Sequence, residues 1–127
     1  MILVDTSAWI AFFKNSGKIA LTVDDLLEKN EVLLCGPILT EILRGISSEK
    51  ERETVTSLFD GCQTLTQPLD LWEASGYIGF VCKKKGFNIK TMDLLIACYC
   101  IHHSVDLLTL DSGFKNMNKC GINVQLF

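Results

Sequence analysis

Apolar and polar positions along the chain fall into short β-like runs separated by helical stretches. Met1–Val4 is an apolar run cut off at Asp5, and it predicts a short buried strand. Thr6 or Ser7 is placed to cap a following helix over Ala8–Phe13, with Gly17 as its break. Val23, Leu26 and Leu27 share one face of a second helix, about Thr22 to Lys29. Val32–Cys35 reads as a second strand. Gly36-Pro37 turns it into a third helix that ends near Gly45, the proline sitting where a first turn tolerates it. Ser48 with Glu51 makes a capping box for a fourth helix, which stops near Gly61.

Thr64–Thr66 predicts a short strand. Asp70 with Glu73 makes another capping box, for a helix reaching Lys85 and stopped by Gly86. Thr91 is expected to cap a helix over Met92–His102. Val105–Leu110 predicts a strand ended by Asp111, and Ile122–Leu126 a last one. Strands alternating with helices imply an α/β layer fold on a parallel sheet. No repeat or linker interrupts the 127 residues, so one domain over 1–127 is expected.

Composition adds a core and a compartment. Hydrophobic residues make up 48% of the chain, rich enough to suggest that some apolar surface meets a second subunit or a partner. No apolar stretch is long and clean enough to span a bilayer, and the start carries no basic, signal-like flank. The six cysteines form no C-x-x-C pair and mostly lie in apolar runs, which suits reduced thiols in a cytoplasmic protein. Cys98 and His102 share a helix spacing, but no second zinc-like pair accompanies them. A net charge of −3 counts against nucleic acid as a partner, unless several acids bind metal and invert the local field.

Four acids stand where burial is expected. Asp5 and Asp111 each end a predicted strand, and ligands of parallel α/β sheets bind at the carboxyl ends of strands. Asp106, at the other end of its strand, reads as a solvated entry residue. Glu41 lies in an apolar helix that looks packed on several sides, where a salt bridge to Arg44 is one explanation. Asp93 is the only charge between Met92 and Ile101 and sits in a first helical turn, which the helix dipole favours. Carboxylates suit a hard cation such as Mg²⁺ or Mn²⁺, and such a site suits phosphodiester hydrolysis.

The motifs Ile2-Leu3-Val4-Asp5-Thr6-Ser7, Thr40-Glu41-Ile42-Leu43-Arg44-Gly45, Met92-Asp93-Leu94-Leu95-Ile96-Ala97 and Leu107-Leu108-Thr109-Leu110-Asp111, with Phe114 beyond, occur in one chain and in this order. Together they resemble the PIN-domain ribonucleases, specifically the VapC-type toxins of type II toxin–antitoxin pairs. That resemblance implies a PIN-like fold, a central parallel sheet of four to five strands flanked by helices on both faces. It implies Asp5, Glu41, Asp93 and Asp111 as catalytic acids. Asp5, Asp93 and Asp111 would hold Mg²⁺ or Mn²⁺, Glu41 would orient or activate water, and Ser7 would support Asp5. RNA, most often tRNA or ribosomal RNA, would be the substrate. A cognate antitoxin would be the inhibitor, and a homodimer the common assembly. Cys98 and Cys100 depart from the small residues that the family more often has there.

Around this core, Lys14, Arg44, Lys84 and Lys90 are candidates for RNA contact, although lysines near helix ends are commonly just solvated. Trp9, Phe12 and Phe13 suit a core or a groove for an antitoxin segment. Leu71, Trp72 and Tyr77 suit a core or a dimer face. Two other functions compete. A haloacid-dehalogenase-like phosphatase would want an aspartate where Ser7 stands, and a non-catalytic PIN-like binding module would not need intact acids.

Overall fold

The computed structural model describes all 127 residues. Strand β1 (Ile2–Val4) leads into helix α1 (Thr6–Phe13), then α2 (Gly17–Glu28), β2 (Val32–Leu34), α3 (Gly36–Arg44), α4 (Glu49–Asp60) and β3 (Gln63–Thr64). The second half holds α5 (Leu71–Lys84), α6 (Thr91–His103), β4 (Asp106–Leu108) and α7 (Gly113–Lys119). All four strands are parallel, in the spatial order β3-β2-β1-β4. β1 and β2 are buried at every residue, so helices must cover both faces of the sheet.

Strand order makes β1 the position that matters. From β1 the chain goes to β2 on one side, and it returns much later as β4 on the other. The crevice between the carboxyl ends of β1 and β4 is therefore the switch point at which such sheets bind ligands. The Asp5 amide donates to the Leu108 carbonyl at 2.9 Å, extending the β1–β4 ladder to the site's edge.

Helix α6 is the best buried helix, with every residue from Leu95 to Cys100 inside. It packs against α5 and, through Leu95, Ile96, Ala97 and their neighbours, joins a continuous core of 31 buried residues. Trp9 belongs to that core. It is fully buried and meets Phe59 edge-on at a centroid distance of 4.9 Å, whereas Phe13 is exposed.

Several local expectations are corrected. Helix α2 starts at Gly17, earlier than Thr22. The Ser48 box forms, with Ser48 Oγ accepting from the Glu51 amide, but Glu51 reaches the Ser47 amide instead of its own cap residue. Asp70 makes no side-chain cap, because its backbone is not extended as a cap requires. Thr91 is already inside α6, and Lys90 stands at the cap position. The third helix is not packed all round. It buries Ile38 and Ile42 and leaves Thr40 and Arg44 exposed. Strand β4 stops at Leu108, so Asp111 is in a loop and not at the strand end. The last predicted strand is reduced to a bridge between Leu107 and Leu126, and α7 was not anticipated. Of the three residues that suited a core or a dimer face, Leu71 takes the core, while Trp72 and Tyr77 are exposed.

Candidate active site

Asp5 leaves β1 pointing at the switch point, and it is 3% exposed. Its Oδ2 accepts from the Thr109 hydroxyl at 2.7 Å and from the Ser7 hydroxyl at 3.2 Å. Those two hydroxyls lie 3.3 Å apart. Each also takes an amide from the β4–α7 loop: Ser7 Oγ accepts from Leu110 N at 2.9 Å, and Thr109 Oγ1 from Asp111 N at 3.0 Å. Asp5 is thus stitched to the loop that carries Asp111. Burial raises the Asp5 pKa, and the donors from Thr109, the Thr6 backbone and Ser7 work against that rise.

Asp93 and Asp111 face each other from α6 and from the loop after β4. Asp93 Oδ2 and Asp111 Oδ1 both border Gly113, so the two carboxyl groups stand close enough for their charges to act on one another. Burial first, then the charges of Asp111 and Asp5, push Asp93 up to about 7, while Lys90 draws it down. Asp111 Oδ1 also accepts the Gly113 amide at 2.9 Å. This is the region with too much negative charge for its donors.

Glu41 comes from α3, half-buried, with Oε1 accepting from Thr6 Oγ1 at 2.8 Å. It is close enough for its charge to act on Asp5. The chain's two ion pairs are Lys29–Asp25 and Arg52–Glu49, so Arg44 does not neutralise Glu41. Glu41 and Thr6 line a groove of about 820 Å³ with Ile10, Phe13, Lys14, Ile42, Val55 and Leu58.

All four sequence-predicted acids and Ser7 therefore come together. The basic candidates divide. Lys90 acts on Asp93 and Lys14 shares the groove with Glu41. Lys84 instead lies over the Phe80 ring, 5.2 Å from its centroid, and exposed Arg44 makes no ion pair. Thr6 and Thr109 were not read as site residues. Thr6 looked like a helix cap, yet its hydroxyl goes to Glu41 and the helix start has no side-chain cap. Thr109 was legible only as a hydroxyl breaking the apolar run before Asp111.

The donors fit a hard divalent cation in kind, since every side chain converging here offers carboxylate or hydroxyl oxygen. Cys35 and Cys100 sit nearby, but burial pushes both thiols to about 12, so neither offers a thiolate. As they stand, no three acidic, histidine or cysteine side chains close on one point.

The family model described as PIN domain matches residues 2–119. The chain is 33% identical over 120 residues to Ribonuclease VapC11 of Mycobacterium tuberculosis and to VapC ribonuclease Mb1587 of Mycobacterium bovis. In each case the match covers 90% of this chain and 89% of the relative. Among solved structures, VapBC2 from Rickettsia felis, bound to a DNA fragment from its promoter, superposes with TM-score 0.78 at 22% identity. It covers 100% of this chain and 98% of that one. VapBC-1 from nontypeable Haemophilus influenzae gives 0.78 at 24% identity, covering 100% and 97%.

Proposed function

Because the chain belongs to the PIN-domain family, in its VapC branch, we propose that it is a divalent-metal-dependent endoribonuclease acting as the toxin of a toxin–antitoxin pair. The observation that carries the reading is the close approach of the Asp93 and Asp111 carboxyl groups over Gly113, beside buried Asp5, a concentration of carboxylates that a proton or a cation relieves. Asp93 and Asp111 would hold Mg²⁺ or Mn²⁺, with Asp5 completing the set. When bound, such a cation activates water and offsets the charge of the phosphodiester.

The chain's own groups do the rest. Thr109 and Ser7 hold the Asp5 carboxylate in one orientation. Thr6 fixes one Glu41 oxygen, leaving the other free of hydrogen bonds to orient water and accept its proton. Lys90, whose charge reaches Asp93, and Lys14, which shares the groove with Glu41, meet backbone phosphates. The substrate we infer is a structured RNA, tRNA or ribosomal RNA, met in the cytoplasm.

The solved relatives are toxin–antitoxin assemblies, which supports a cognate antitoxin as partner. The apolar groove at Phe13 and Ile42 opens beside Glu41 and would receive its segment. A homodimer would use the exposed Trp72, Tyr77 and Phe80 of α5.

The test is cleavage of a tRNA and rRNA mixture by purified protein in Mg²⁺, Mn²⁺ or EDTA, with Asp111→Asn alongside. We expect cleavage with either metal, none in EDTA, and a large loss in the variant. Cleavage that persists in EDTA, or its absence with both metals, defeats the reading.

A further inference from the structure

Gly113 opens α7, two residues beyond Asp111. Its backbone does not need glycine. The glycines with positive φ are Gly17, Gly86 and Gly121, and Gly113 is not among them. Alanine is also the better helix former. The explanation lies instead in what a side chain would meet. A Cβ on Gly113 would stand 2.9 Å from Asp93 Oδ2 and 3.3 Å from Asp111 Oδ1. The same residue donates its amide to Asp111 Oδ1 at 2.9 Å. Both carboxylates of the pair therefore close over one bare α-carbon.

We infer that Gly113 is a positioning residue, whose missing side chain lets Asp93 and Asp111 approach each other and whose amide fixes the Asp111 carboxylate within that approach. The consequence for cation binding rests on the proposed reading of these acids; the geometric claim does not. Something must move if a methyl group is added, and the packing says which part. Helix α7 is anchored by Phe114 and Met117, both fully buried, so it cannot easily retreat. Asp93 is carried on the well-packed α6, so its main chain is fixed too. What is left is the Asp93 carboxyl group, which would turn away from Asp111. Relief of the clash is thus the same event as loss of the site's geometry.

The other glycines supply a control. Gly76 on α5 has nothing within 4 Å of a built Cβ, so Gly76→Ala adds a methyl group to open space.

The experiment compares the parent, Gly113→Ala and Gly76→Ala in three measurements. Mn²⁺ is titrated calorimetrically, metal-free crystals are solved, and thermal unfolding is followed in EDTA. For Gly113→Ala we expect Mn²⁺ affinity weaker by roughly 10–100-fold, as for loss of a partner that orients a metal ligand. We expect the Asp93 carboxylate rotated off Asp111 in the crystal, and melting close to the parent. Gly76→Ala should match the parent in Mn²⁺ affinity and in the Asp93–Asp111 geometry, and should melt at or slightly above it, alanine being the better helix former. An unchanged Asp93–Asp111 contact in the Gly113→Ala crystal overturns the inference. So does unchanged Mn²⁺ affinity against a parent that binds, or a variant that no longer folds in EDTA, since the strain would then fall on the fold. A parent that binds no Mn²⁺ sinks the cation reading instead, and the crystal alone then decides whether Gly113 positions the pair.

Discussion

Asp5 and Asp93 are both buried carboxylates at one sheet edge, and they are held in opposite ways. Asp5 is surrounded by neutral donors, the Thr109 and Ser7 hydroxyls, which leave it oriented with its charge partly answered. Asp93 faces another carboxyl group, and burial together with the charges of Asp111 and Asp5 pushes it up to about 7. One acid is prepared by the fold, and the other is left waiting for positive charge. That asymmetry separates what the protein supplies itself from what a bound ion must supply.

Activity alone would not reveal the difference. Asp5→Asn and Asp93→Asn should each lower RNA cleavage by about three orders of magnitude, the several kcal/mol expected from losing a ligand of a catalytic cation. Stability should tell them apart. In metal-free protein at alkaline pH, Asp93→Asn removes a repulsion and should raise the melting temperature. Asp5→Asn exchanges a satisfied acceptor for an amide among hydroxyl donors and should lower it. If both variants melt alike in EDTA, the contrast fails.

The same contrast predicts a pH profile. Asp93 has a folded pKa of about 7, above its ordinary value of 3.8. The folded protein therefore binds this proton more tightly than the unfolded chain does. The resulting stabilisation is complete below the unfolded value and is lost as pH rises through about 7. Melting in EDTA should fall between about pH 4 and pH 7 more steeply for the parent than for Asp93→Asn, and saturating Mn²⁺ should flatten the parent's curve. Equal slopes for parent and variant would remove Asp93 as the source.

Asp93 and Asp5 were legible because each is anomalous where it stands, Asp93 alone in an apolar helix and Asp5 at the end of an apolar strand, whereas Glu41 and Asp111 were picked out on placements that the fold corrects. The motifs they belong to carried the family resemblance as well. Less legible was everything that depends on chain segments meeting. Thr6 offered a hydroxyl suited to a helix cap; the resemblance placed Ser7 beside Asp5, and only the return of β4 beside β1 showed that Thr109 joins it there. Helix α7 escaped because Gly113–Lys119 is short and polar, with only Phe114 and Met117 buried. The part played by Gly113 came into view only when Asp93 was found beside it.

Thr109 is where the two halves of the contrast join, since its hydroxyl donates to Asp5 and accepts from the Asp111 amide. Thr109→Val keeps the shape and removes both bonds. Activity should fall by roughly 10–100-fold. Urea unfolding should show a loss of about 1–3 kcal/mol, the cost of leaving a partly buried amide and a carboxylate oxygen under-satisfied. Thr109→Ser restores the hydroxyl and should recover most of both. If the serine variant stays as damaged as the valine one, the methyl contact and not the relay is what matters. Combined with Ser7→Ala, Thr109→Val should cost less than the sum of the two, because both hydroxyls serve one Asp5 oxygen.

The smallest effect concerns the cations. Lys90 stands at the head of α6, and its charge reaches Asp93, whereas Lys84 is spent on the Phe80 ring. Both are exposed, so salt screens them and each is worth on the order of 1 kcal/mol or less. Lys90→Ala should nevertheless raise KM for RNA a few-fold and shallow its salt dependence, as the loss of one phosphate contact does. It should also lift the Asp93 pKa further, since Lys90 is what draws it down. The pH at which metal-free stability falls away should move upward with it. Lys84→Ala should change neither quantity. Matched KM shifts in the two variants would mean that the RNA meets a diffuse lysine surface, and the cationic side of the site would then lie along the end of α5 as much as at the head of α6.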